Sequence, residues 1–525
     1  MDNAAFCANA ESGTPAVTLN DIMAAIQAND GNDCSLSTAE SGALTVHGVC
    51  IDSRKATPGC LFVCKGATFK PEFLAAAVKQ GTAAFLCQGE MANGRIAVPA
   101  DLAQAAPGVP AIAAKDIRRA MARASAKAYG APDENLTVVG VTGTKGKSTT
   151  TYMLHAIMNA AEVETSMLGS IETDDGMEHF ESHNTTPESP DLWRHLRNTV
   201  DAGRKHMVME VSSQGLKYDR VLGLNFDIAC FLNIGRDHIS PIEHPTFEDY
   251  FASKLRIFDQ CKTAVVNLET DHLSEVLKAA EHAEKLVTVG INNPKATLNA
   301  TGVSSVDGVI RFTVRDSLGE TVEERGIALG IAGLFNVENA LCAIAIARLL
   351  GIDYDAIETG LAHVKVPGRM EVIRCTSKPI TAIVDYAHNK LSFETLFSSI
   401  KQEYPGQRII AVFGAAGGKA YERREVLPQT AGKYADLLIF AEEDPAHERP
   451  EDICAELAKN TPEGVAHEII IDREEAFKRA VEIAGDGKPT VIAFLAKGEE
   501  ELQHRGDAFE PIKSDSAIAH EVLDA

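Results

Sequence analysis

Paired metal-binding cysteines are missing from this sequence. Its 525 residues contain 11 scattered cysteines, and no two of them form a Cys-x-x-Cys pair. An odd number without such pairs argues against a disulfide framework and against a zinc site. Cys60 and Cys64 flank the apolar run Leu61-Phe62-Val63, so we predict that they are reduced core thiols. Reduced thiols indicate the cytoplasm.

Long hydrophobic runs are missing as well. No apolar stretch approaches the roughly 18 residues that a membrane span needs. Residues 1–15 lack the basic start and the apolar core of a secretory signal. We therefore expect a cytoplasmic protein without membrane insertion.

Positive charge is in deficit. There are 50 Lys and Arg residues against 74 Asp and Glu residues, and the formal net charge is -24. Long-range repulsion of this sign opposes the approach of nucleic acids and anionic membrane surfaces. No nucleic-acid partner is expected, and an anionic substrate has to meet local positive sites.

A glycine loop follows the apolar strand-like run 136–141. It reads Gly143-Thr144-Lys145-Gly146-Lys147-Ser148-Thr149. Between a buried strand and a helix, the N–H groups of such a loop hold phosphate oxygens. Lys147 is expected to reach the β- and γ-phosphates of a nucleotide, and Ser148 to place its hydroxyl on a magnesium ion. Because Val141 stands where the general pattern has glycine, the loop matches a shorter variant.

The chain is long enough for about three domains. Gly130-Ala131-Pro132 and Val366-Pro367-Gly368 are break signals, and we predict domains 1–132, 133–365 and 366–525. Apolar strand-like runs alternate with helix-like segments in all three, which is typical of α/β folds. The predicted fold is a central P-loop doubly wound sheet, flanked by a small N-terminal α/β domain and a C-terminal Rossmann-like α/β domain. A loop is expected over 98–110.

Further motifs keep the order and spacing of one enzyme family. They are Asn184-Thr185-Thr186-Pro187, Met209-Glu210-Val211-Ser212-Ser213, and Asn233 followed by Asp237-His238. With the glycine loop they resemble the Mur ligases, and within these the MurE type, over nearly the whole chain. The resemblance implies a ligase of peptidoglycan synthesis that uses ATP and Mg²⁺. Its substrates would be a free amino acid and the dipeptide precursor UDP-N-acetylmuramoyl-L-alanyl-D-glutamate.

The resemblance also implies the catalytic and metal-binding positions. Lys147, Glu210, His238 and Lys254 correspond to catalytic residues, and Ser148, Glu210, His238 and Lys254 to the surroundings of two magnesium ions. Glu210 ends a buried strand across from the loop, where a carboxylate can coordinate magnesium. Lys254 matches the family lysine that CO2 converts into a carbamate, which changes a cation into a metal-binding anion.

The substrate contacts follow from the same resemblance. The loop residues 143–149 would bind ATP together with Asn336, Arg369 and His388, as the third domain closes over the nucleotide. The UDP-muramoyl-dipeptide would contact Ile51, Ser53, Ala67, Thr68 and Phe69 of the first domain and Asn184, Thr185, Thr186, Ser212 and Arg220 of the second. Arg220 offers a planar fork suited to a carboxylate.

The third domain is expected to select the incoming amino acid. The candidate residues are Arg424 for the α-carboxylate, Glu500 near the amino end, and Glu443-Asp444-Pro445-Ala446. Diaminopimelate-adding relatives carry Asp-Asn-Pro-Arg at that last position, and their arginine holds the distal carboxylate. Because Ala446 cannot do this and the acidic cluster favours a cationic side chain, we predict L-lysine.

Several alternatives stay open. The added amino acid could be meso-diaminopimelate. It could also be ornithine, which is one methylene shorter than lysine, a difference worth only about 1–3 kcal/mol in a pocket. A folate polyglutamate synthetase is disfavoured by the uridine-like first domain. A non-catalytic nucleotide-binding scaffold of cell-wall enzymes is disfavoured, because a scaffold has no physical need for two metal sites. The protein is expected to be a monomer.

Overall fold

The computed structural model describes residues 16–28, 31–66, 68–182, 184–240, 243–306 and 309–524. Three large sheets follow one another along the chain, and helices cover them. This is the α/β class that the sequence predicts. The domain boundaries at 132 and 365 stay a prediction, and none of the three large sheets crosses either of them.

The first sheet has the strand order β2-β9-β6-β5-β4. Strands β5 and β9 are buried at every residue, as expected for strands covered on both faces. The strands of this part are β1 (Val17–Thr18), β2 (Cys34–Leu36), β3 (Thr45–Val46), β4 (Val49–Cys50), β5 (Leu61–Cys64), β6 (Ala84–Gln88), β7 (Glu90–Ala92), β8 (Arg95–Ala97) and β9 (Ala111–Ala114). The α-helices are α1 (Leu19–Gln27), α2 (Pro71–Lys79), α3 (Ala100–Ala105) and α4 (Ile117–Ala128), and 3₁₀ turns span Ala39–Ala43 and Pro132–Asn135.

The loop predicted over 98–110 is wrong in its middle, where α3 lies. The helix buries Leu102 in the first sheet's core. Alanine is a strong helix former, and the prolines on either side hid this short helix from the sequence analysis. Cys60 and Cys64 are buried in the same core with free thiols, as predicted.

The second sheet has eleven strands in the order β13-β12-β11-β14-β10-β15-β16-β17-β18-β19-β20. Its strands are β10 (Thr137–Thr142), β11 (Thr165–Leu168), β12 (Glu172–Asp174), β13 (His179–Glu181), β14 (His206–Glu210), β15 (Phe226–Phe231), β16 (Cys261–Asn267), β17 (Lys285–Ile291), β18 (Leu298–Val306), β19 (Val309–Asp316) and β20 (Glu323–Leu329). Its α-helices are α5 (Lys147–Ala160), α6 (Ser189–Asp201), α7 (Ser213–Lys217), α8 (Phe247–Leu255), α9 (Leu273–Ala280), α10 (Asn336–Leu349) and α11 (Tyr354–His363), and a 3₁₀ turn spans Arg256–Gln260.

The glycine loop starts at the carboxyl end of a central strand. Strand β10 lies between β14 and β15 and is parallel to both, and its Val141 pairs in register with Glu210. The carboxyl ends of parallel strands are the usual ligand-binding edge of such sheets. The register therefore brings Glu210 next to the loop.

Antiparallel strands extend both edges of this sheet. Strands β12 and β13 form a hairpin on one edge, and β18, β19 and β20 form a meander on the other. Neither was predicted. Strand β19 alternates buried and exposed residues, as a one-sided strand does, whereas the prediction relied on continuous apolar runs.

The third sheet has the order β21-β22-β26-β23-β24-β25, and β21 is its antiparallel edge. The strands are β21 (Glu371–Arg374), β22 (Ile380–Asp385), β23 (Arg408–Phe413), β24 (Leu437–Phe440), β25 (Ala466–Ile469) and β26 (Thr490–Leu495), followed by the hairpin β27 (Leu502–Arg505) and β28 (Ala508–Pro511). The helices are α12 (Lys390–Glu403), α13 (Arg423–Ala431), α14 (Pro450–Lys459), α15 (Arg473–Ala484) and α16 (Asp515–Asp524).

Polar contacts join the three parts. The Asn389 side-chain amide, at the start of α12, donates to Asp237 Oδ2 at 2.9 Å. Lys65, after β5, forms an ion pair with Glu188 at 2.5 Å. Within the described residues, none of the helices combines the length and the hydrophobicity that crossing a bilayer requires.

Candidate active site

The glycine loop connects β10 to the first turn of α5. Gly146 has φ of 85°, and a Cβ there would lie 2.2 Å from the Asn339 side chain of α10. Only glycine fits this left-handed, crowded position. The loop thus packs against α10 and directs the N-terminus of α5 outward, a geometry that suits phosphate oxygens.

Two lysines converge on one carbonyl of this loop. Lys147 Nζ donates to the Gly143 carbonyl oxygen at 3.1 Å, and Lys254 Nζ, from α8, donates to the same oxygen at 2.8 Å. Burial lowers the pKa of Lys147, although Glu210 opposes the shift. Burial and the charge of Lys147 hold the pKa of Lys254 well below its ordinary value. The neutral amine of Lys254 is therefore favoured.

The segment after β15 braces the loop. Asn233 Oδ1 accepts from the Lys145 backbone N–H at 2.9 Å, and Lys145 Nζ forms an ion pair with Asp237 at 3.2 Å. Burial would raise the pKa of the Asp237 carboxyl, but Lys145, His238 and other cations outweigh it and hold that pKa well below its ordinary value. Asp237 is therefore ionised at neutral pH.

The predicted metal ligands lie around the loop without forming a closed cage. Glu210 is buried, and its carboxylate accepts from Ser170 N at 2.7 Å and from Ser170 Oγ at 3.1 Å. Ser148 is buried in the first turn of α5. His238 is half exposed, and its Nδ1 lies 3.2 Å from Glu243 Oε1. The Glu210 carboxylate and the Ser148 hydroxyl are oxygen ligands of the kind that magnesium prefers, and waters and phosphates would complete its coordination.

One compact trio of carboxylates and imidazole occurs elsewhere among the described residues. It consists of Asp175, Glu178 and His195. Asp175 accepts from His195 Nδ1 at 2.6 Å and from two backbone N–H groups. These bonds fix the turn between β12 and β13 against α6, which is a structural role.

The C-terminal part faces the loop with Arg369 and His388. The Arg369 guanidinium lies 4.5 Å from the centre of the Tyr386 ring, within cation–π range. His388 Nδ1–H donates to the Tyr386 carbonyl oxygen at 2.7 Å. Burial, with help from Lys145, holds the pKa of His388 well below its ordinary value, so the ring is neutral at pH 7.

Asn336 is fully engaged within the protein. Its Nδ2 donates to the Ala332 carbonyl oxygen at 2.6 Å, and its Oδ1 accepts from Asn339 Nδ2 at 2.8 Å. The predicted contact of Asn336 with ATP stays a prediction. In the structure this residue orients Asn339, which touches Gly146.

The residues predicted for the muramoyl-dipeptide surround the ends of β11 and β14. Thr186 Oγ1 donates to the Glu210 carbonyl oxygen at 3.0 Å and accepts from Ser212 N at 2.9 Å. Arg220 Nη1 donates to the Thr186 carbonyl oxygen at 2.9 Å. Thr185 is hydrogen-bonded to Ser170 at 2.9 Å, while Asn184 is exposed.

Two charged residues of this region were missed. Glu188 forms ion pairs with Arg220 at 3.1 Å and with Lys65 at 2.5 Å, and so joins the first and second sheets. Glu188 follows the Asn-Thr-Thr-Pro motif directly, and Lys65 follows a buried strand. Their positions beside motifs were the available signal.

The uridine-side residues lie around α2. Ile51 and Ser53 are half-buried, and the Ser53 carbonyl oxygen accepts from Gln80 Nε2 at 2.9 Å. Thr68 is exposed, while Phe69 packs against Phe62 with ring centres 6.5 Å apart. Ala67 lies outside the described residues.

The region that we expect to bind the incoming amino acid contains a buried carboxylate. Glu443 is buried, and within the described residues its Oε2 has no hydrogen-bond partner. Burial raises the pKa of Glu443 to about 7, although Arg423 opposes the shift. Asp444 and Glu500 both pair with the buried ammonium of Lys497, at 2.9 and 2.6 Å.

The predicted contact of Arg424 with the α-carboxylate stays a prediction, and in the structure this residue is engaged within the protein. Its guanidinium is buried and pairs with Glu448 at 2.8 Å and with Glu456 at 3.1 Å, so its two Nη groups are already occupied. The neighbouring Arg423 is the one whose charge acts on Asp237, His388 and Glu443. The sequence places two consecutive arginines at the start of this helix. Which of them points toward the substrates depends on the phase of the helix, and the sequence does not define that phase.

A cleft of about 430 Å³ lies between the second and third sheets. Its lining includes Ser170, Glu172 and Phe180 of the β12–β13 region and Arg369, Tyr386 and Glu500 of the C-terminal part. Such a polar cleft between two domains is a common place for substrates. The hairpin side of the cleft was not foreseen, because short exposed strands give a weak sequence signal.

Comparison with known proteins gives consistent matches. The family model described as "Mur ligase middle domain" matches residues 141–347, and the model "Mur ligase, glutamate ligase domain" matches residues 368–498. The UDP-N-acetylmuramoyl-L-alanyl-D-glutamate--L-lysine ligase of Enterococcus faecalis is 35% identical over 488 residues, which cover 91% of this chain and 92% of that protein. The UDP-N-acetylmuramyl-tripeptide synthetase of Bifidobacterium longum is 37% identical, over 86% of this chain and 87% of that protein.

A solved structure of a UDP-N-acetylmuramoyl-L-alanyl-D-glutamate--2,6-diaminopimelate ligase shares the fold. It superposes with a TM-score of 0.62 and 24% sequence identity, and the match covers 97% of this chain and 99% of that chain. The similarity therefore extends over all three sheets.

Proposed function

The chain belongs to the Mur ligase family, and from this premise we propose that it adds L-lysine to UDP-N-acetylmuramoyl-L-alanyl-D-glutamate. It is an ATP-dependent ligase that forms an amide bond in peptidoglycan synthesis. The observation that carries the proposal is the meeting of Lys147 and Lys254 at one loop carbonyl, opposite the C-terminal residues Arg369 and His388.

The reaction has two steps. The D-glutamyl carboxylate attacks the γ-phosphorus of ATP, the bond to the β-phosphate oxygen breaks, and an acyl phosphate and ADP form. The lysine α-amine then attacks the acyl carbon, loses a proton, and expels phosphate through a tetrahedral intermediate. No side chain has to form a covalent bond with the substrate.

The chain's own residues position charge for both steps. The loop N–H groups and the Lys147 ammonium oppose the negative charge of the transferring phosphoryl group, and this kind of fixed electrostatic stabilisation is a large part of phosphoryl-transfer catalysis. Asn389 holds Asp237 across the cleft. This contact supports closure of the third part over ATP and exclusion of water.

The donor set suits Mg²⁺. Ser148 and Glu210 would hold one magnesium ion, and His238 together with Lys254 as a carbamate would hold a second. Bound magnesium would neutralise phosphate charge and act as a Lewis acid. The depressed pKa of Lys254 supports the carbamate, since only a neutral amine attacks CO2.

The choice of lysine rests on the third sheet. Ala446 offers no partner to a distal carboxylate, while Glu443 is a buried carboxylate without a hydrogen-bond partner among the described residues. Such a group favours a cationic side chain. Ornithine carries the same charge, and meso-diaminopimelate carries an additional carboxylate that Glu443 would repel. A monomeric, cytoplasmic enzyme remains our expectation.

The test is product identification. Purified protein is incubated with ATP, magnesium, the UDP-muramoyl-dipeptide and L-lysine, and the nucleotide products are analysed by mass spectrometry. The proposal predicts a UDP-muramoyl-tripeptide formed in equal amount to ADP, and no product when any one component is left out. ATP consumption without a new amide would refute it, and would favour the scaffold alternative if ATP is bound but not consumed.

A further inference from the structure

Two backbone hydrogen bonds hold the loop that we expect to select the amino acid. This selection loop, residues 442–446, lies against the hairpin β27–β28. Ala446 N donates to the His504 carbonyl oxygen at 3.0 Å, and Gly506 N donates to the Ala446 carbonyl oxygen at 2.7 Å. The loop and the hairpin are therefore one hydrogen-bonded unit, and a hairpin side chain can act on the loop.

The selection loop carries three consecutive acidic residues. Two of these carboxylates form ion pairs with cationic side chains of the same protein. Arg505 binds the Glu442 carboxylate with two bonds, from Nε at 2.9 Å and from Nη2 at 2.6 Å. Asp444 accepts from Lys497 Nζ at 2.9 Å. Glu443 has the cations Arg423, Arg473 and Lys497 in its surroundings, but its Oε2 has no hydrogen-bond partner in the part of the chain that the structure describes.

We propose that the ion pair between Glu442 and Arg505 sets the charge selectivity of the amino-acid pocket. The pair is neutral as a unit, so Glu443 remains the carboxylate that attracts the side-chain ammonium of the incoming amino acid. This inference rests on the proposed function. Glu442 and Arg505 are positioning residues, because they act on the substrate through the charge balance of the loop.

The sign of each change follows from electrostatics. Loss of the Glu442 charge leaves the loop with one negative charge fewer and Arg505 paired only with the half-exposed Glu510, which weakens the attraction of the pocket for a cation. Loss of the Arg505 charge leaves Glu442 as a second negative group beside Glu443, which strengthens the attraction of the pocket for a cation. If the pair of Glu442 and Arg505 had only a structural role, either substitution would loosen the contact between the loop and the hairpin and would weaken lysine binding.

The experiment compares KM for lysine in Glu442→Gln, Arg505→Gln and the double variant, with ATP and the dipeptide saturating. A single unpaired charge about 4–8 Å from the substrate ammonium, at a dielectric constant between those of the protein interior and of water, changes affinity by about three- to tenfold. We expect Glu442→Gln to raise KM for lysine by this factor and Arg505→Gln to lower it. The double variant should return KM to within about twofold of the wild-type value, because the net charge of the unit is restored.

Glu510→Gln is the matched control. Glu510 also binds Arg505, at 2.8 Å, but its side chain is 49% exposed whereas that of Glu442 is 9% exposed, so water screens its charge and its loss should change KM little. In all variants kcat and KM for ATP should stay near the wild-type values. The KM shifts should also shrink at high ionic strength, since salt screens partly exposed charges.

Three results would overturn the inference: the same direction of change in both single variants, an unchanged KM in both, or no recovery in the double variant. If a single variant fails to fold, the double variant and the remaining single variant still decide, since their KM values must differ with the stated sign. Failure of the proposed function itself looks different, because the wild-type protein would then not turn over lysine.

Discussion

Lys254 Nζ donates to the carbonyl oxygen of Gly143 at 2.8 Å, inside the phosphate-binding loop. The same oxygen already accepts from Lys147, so two lysine side chains share one acceptor in a buried site. Close like charges and burial disfavour the charged form of Lys254. Conversion to a carbamate would replace this repulsion by attraction between the carbamate and the Lys147 ammonium.

The first prediction concerns this modification. Phosphate release should fall when CO2 is stripped from the buffers and should recover with added bicarbonate. Lys254→Ala should lose activity by about 10²-fold or more, as expected when a fixed transition-state group is removed. Acetate, a small carboxylate, should restore part of that activity. Lys254→Arg is the control, since it keeps the charge and cannot be carbamylated. Full activity of Lys254→Arg would refute the carbamate.

The second prediction concerns Lys147. Lys147→Ala should lower kcat by about 10²–10³-fold, because the ammonium that opposes phosphoryl charge is gone. Binding of the UDP-muramoyl-dipeptide, measured by calorimetry, should stay within about twofold, since the predicted uridine contacts lie in the first sheet. Turnover close to that of the wild-type protein would contradict the role of the loop.

The third prediction is a pH dependence at Glu443. Burial raises the pKa of this carboxyl to about 7, so it gains a proton as the pH falls through that value and then no longer attracts an ammonium group. KM for lysine should therefore rise as the pH is lowered from about 8 to about 6. Glu443→Gln should have a high KM at both ends of this range. A KM for wild type that does not vary with pH would argue against Glu443 as the charge partner.

The fourth prediction separates two neighbouring arginines. Arg424→Ala should lower the free energy of unfolding by about 1–2 kcal/mol, because it removes pairs with partly exposed Glu448 and Glu456. It should change KM for lysine little. Arg423→Ala should instead change KM and kcat, because its charge acts on Asp237 and Glu443. Denaturant unfolding and steady-state kinetics of both variants decide, and the opposite pattern would favour Arg424 as the residue that binds the α-carboxylate.

The sequence predicted the fold best where strands are buried on both faces. The run before the glycine loop, for example, predicted β10 to within one residue at each end. It missed β19 and the hairpin β12–β13, because half-exposed strands mix polar and apolar residues. Of these missed strands, the hairpin β12–β13 forms one wall of the cleft.

Side-chain partners were harder to predict than elements. The motif containing Glu210 could be located, but its bond to Ser170 joins residues 40 positions apart. The pairing of Arg505 with Glu442 spans 63 positions and depends on how the hairpin folds back. Such contacts arise from tertiary packing, so they lie beyond local sequence patterns.

The most direct test of the central claim is phosphate release by the wild-type protein with ATP, magnesium and UDP-N-acetylmuramoyl-L-alanyl-D-glutamate, offered L-lysine, L-ornithine and meso-diaminopimelate in turn. The account predicts the highest kcat/KM with lysine, lower values with ornithine, and little release with meso-diaminopimelate. A preference for meso-diaminopimelate, or no release with any of the three, would contradict it.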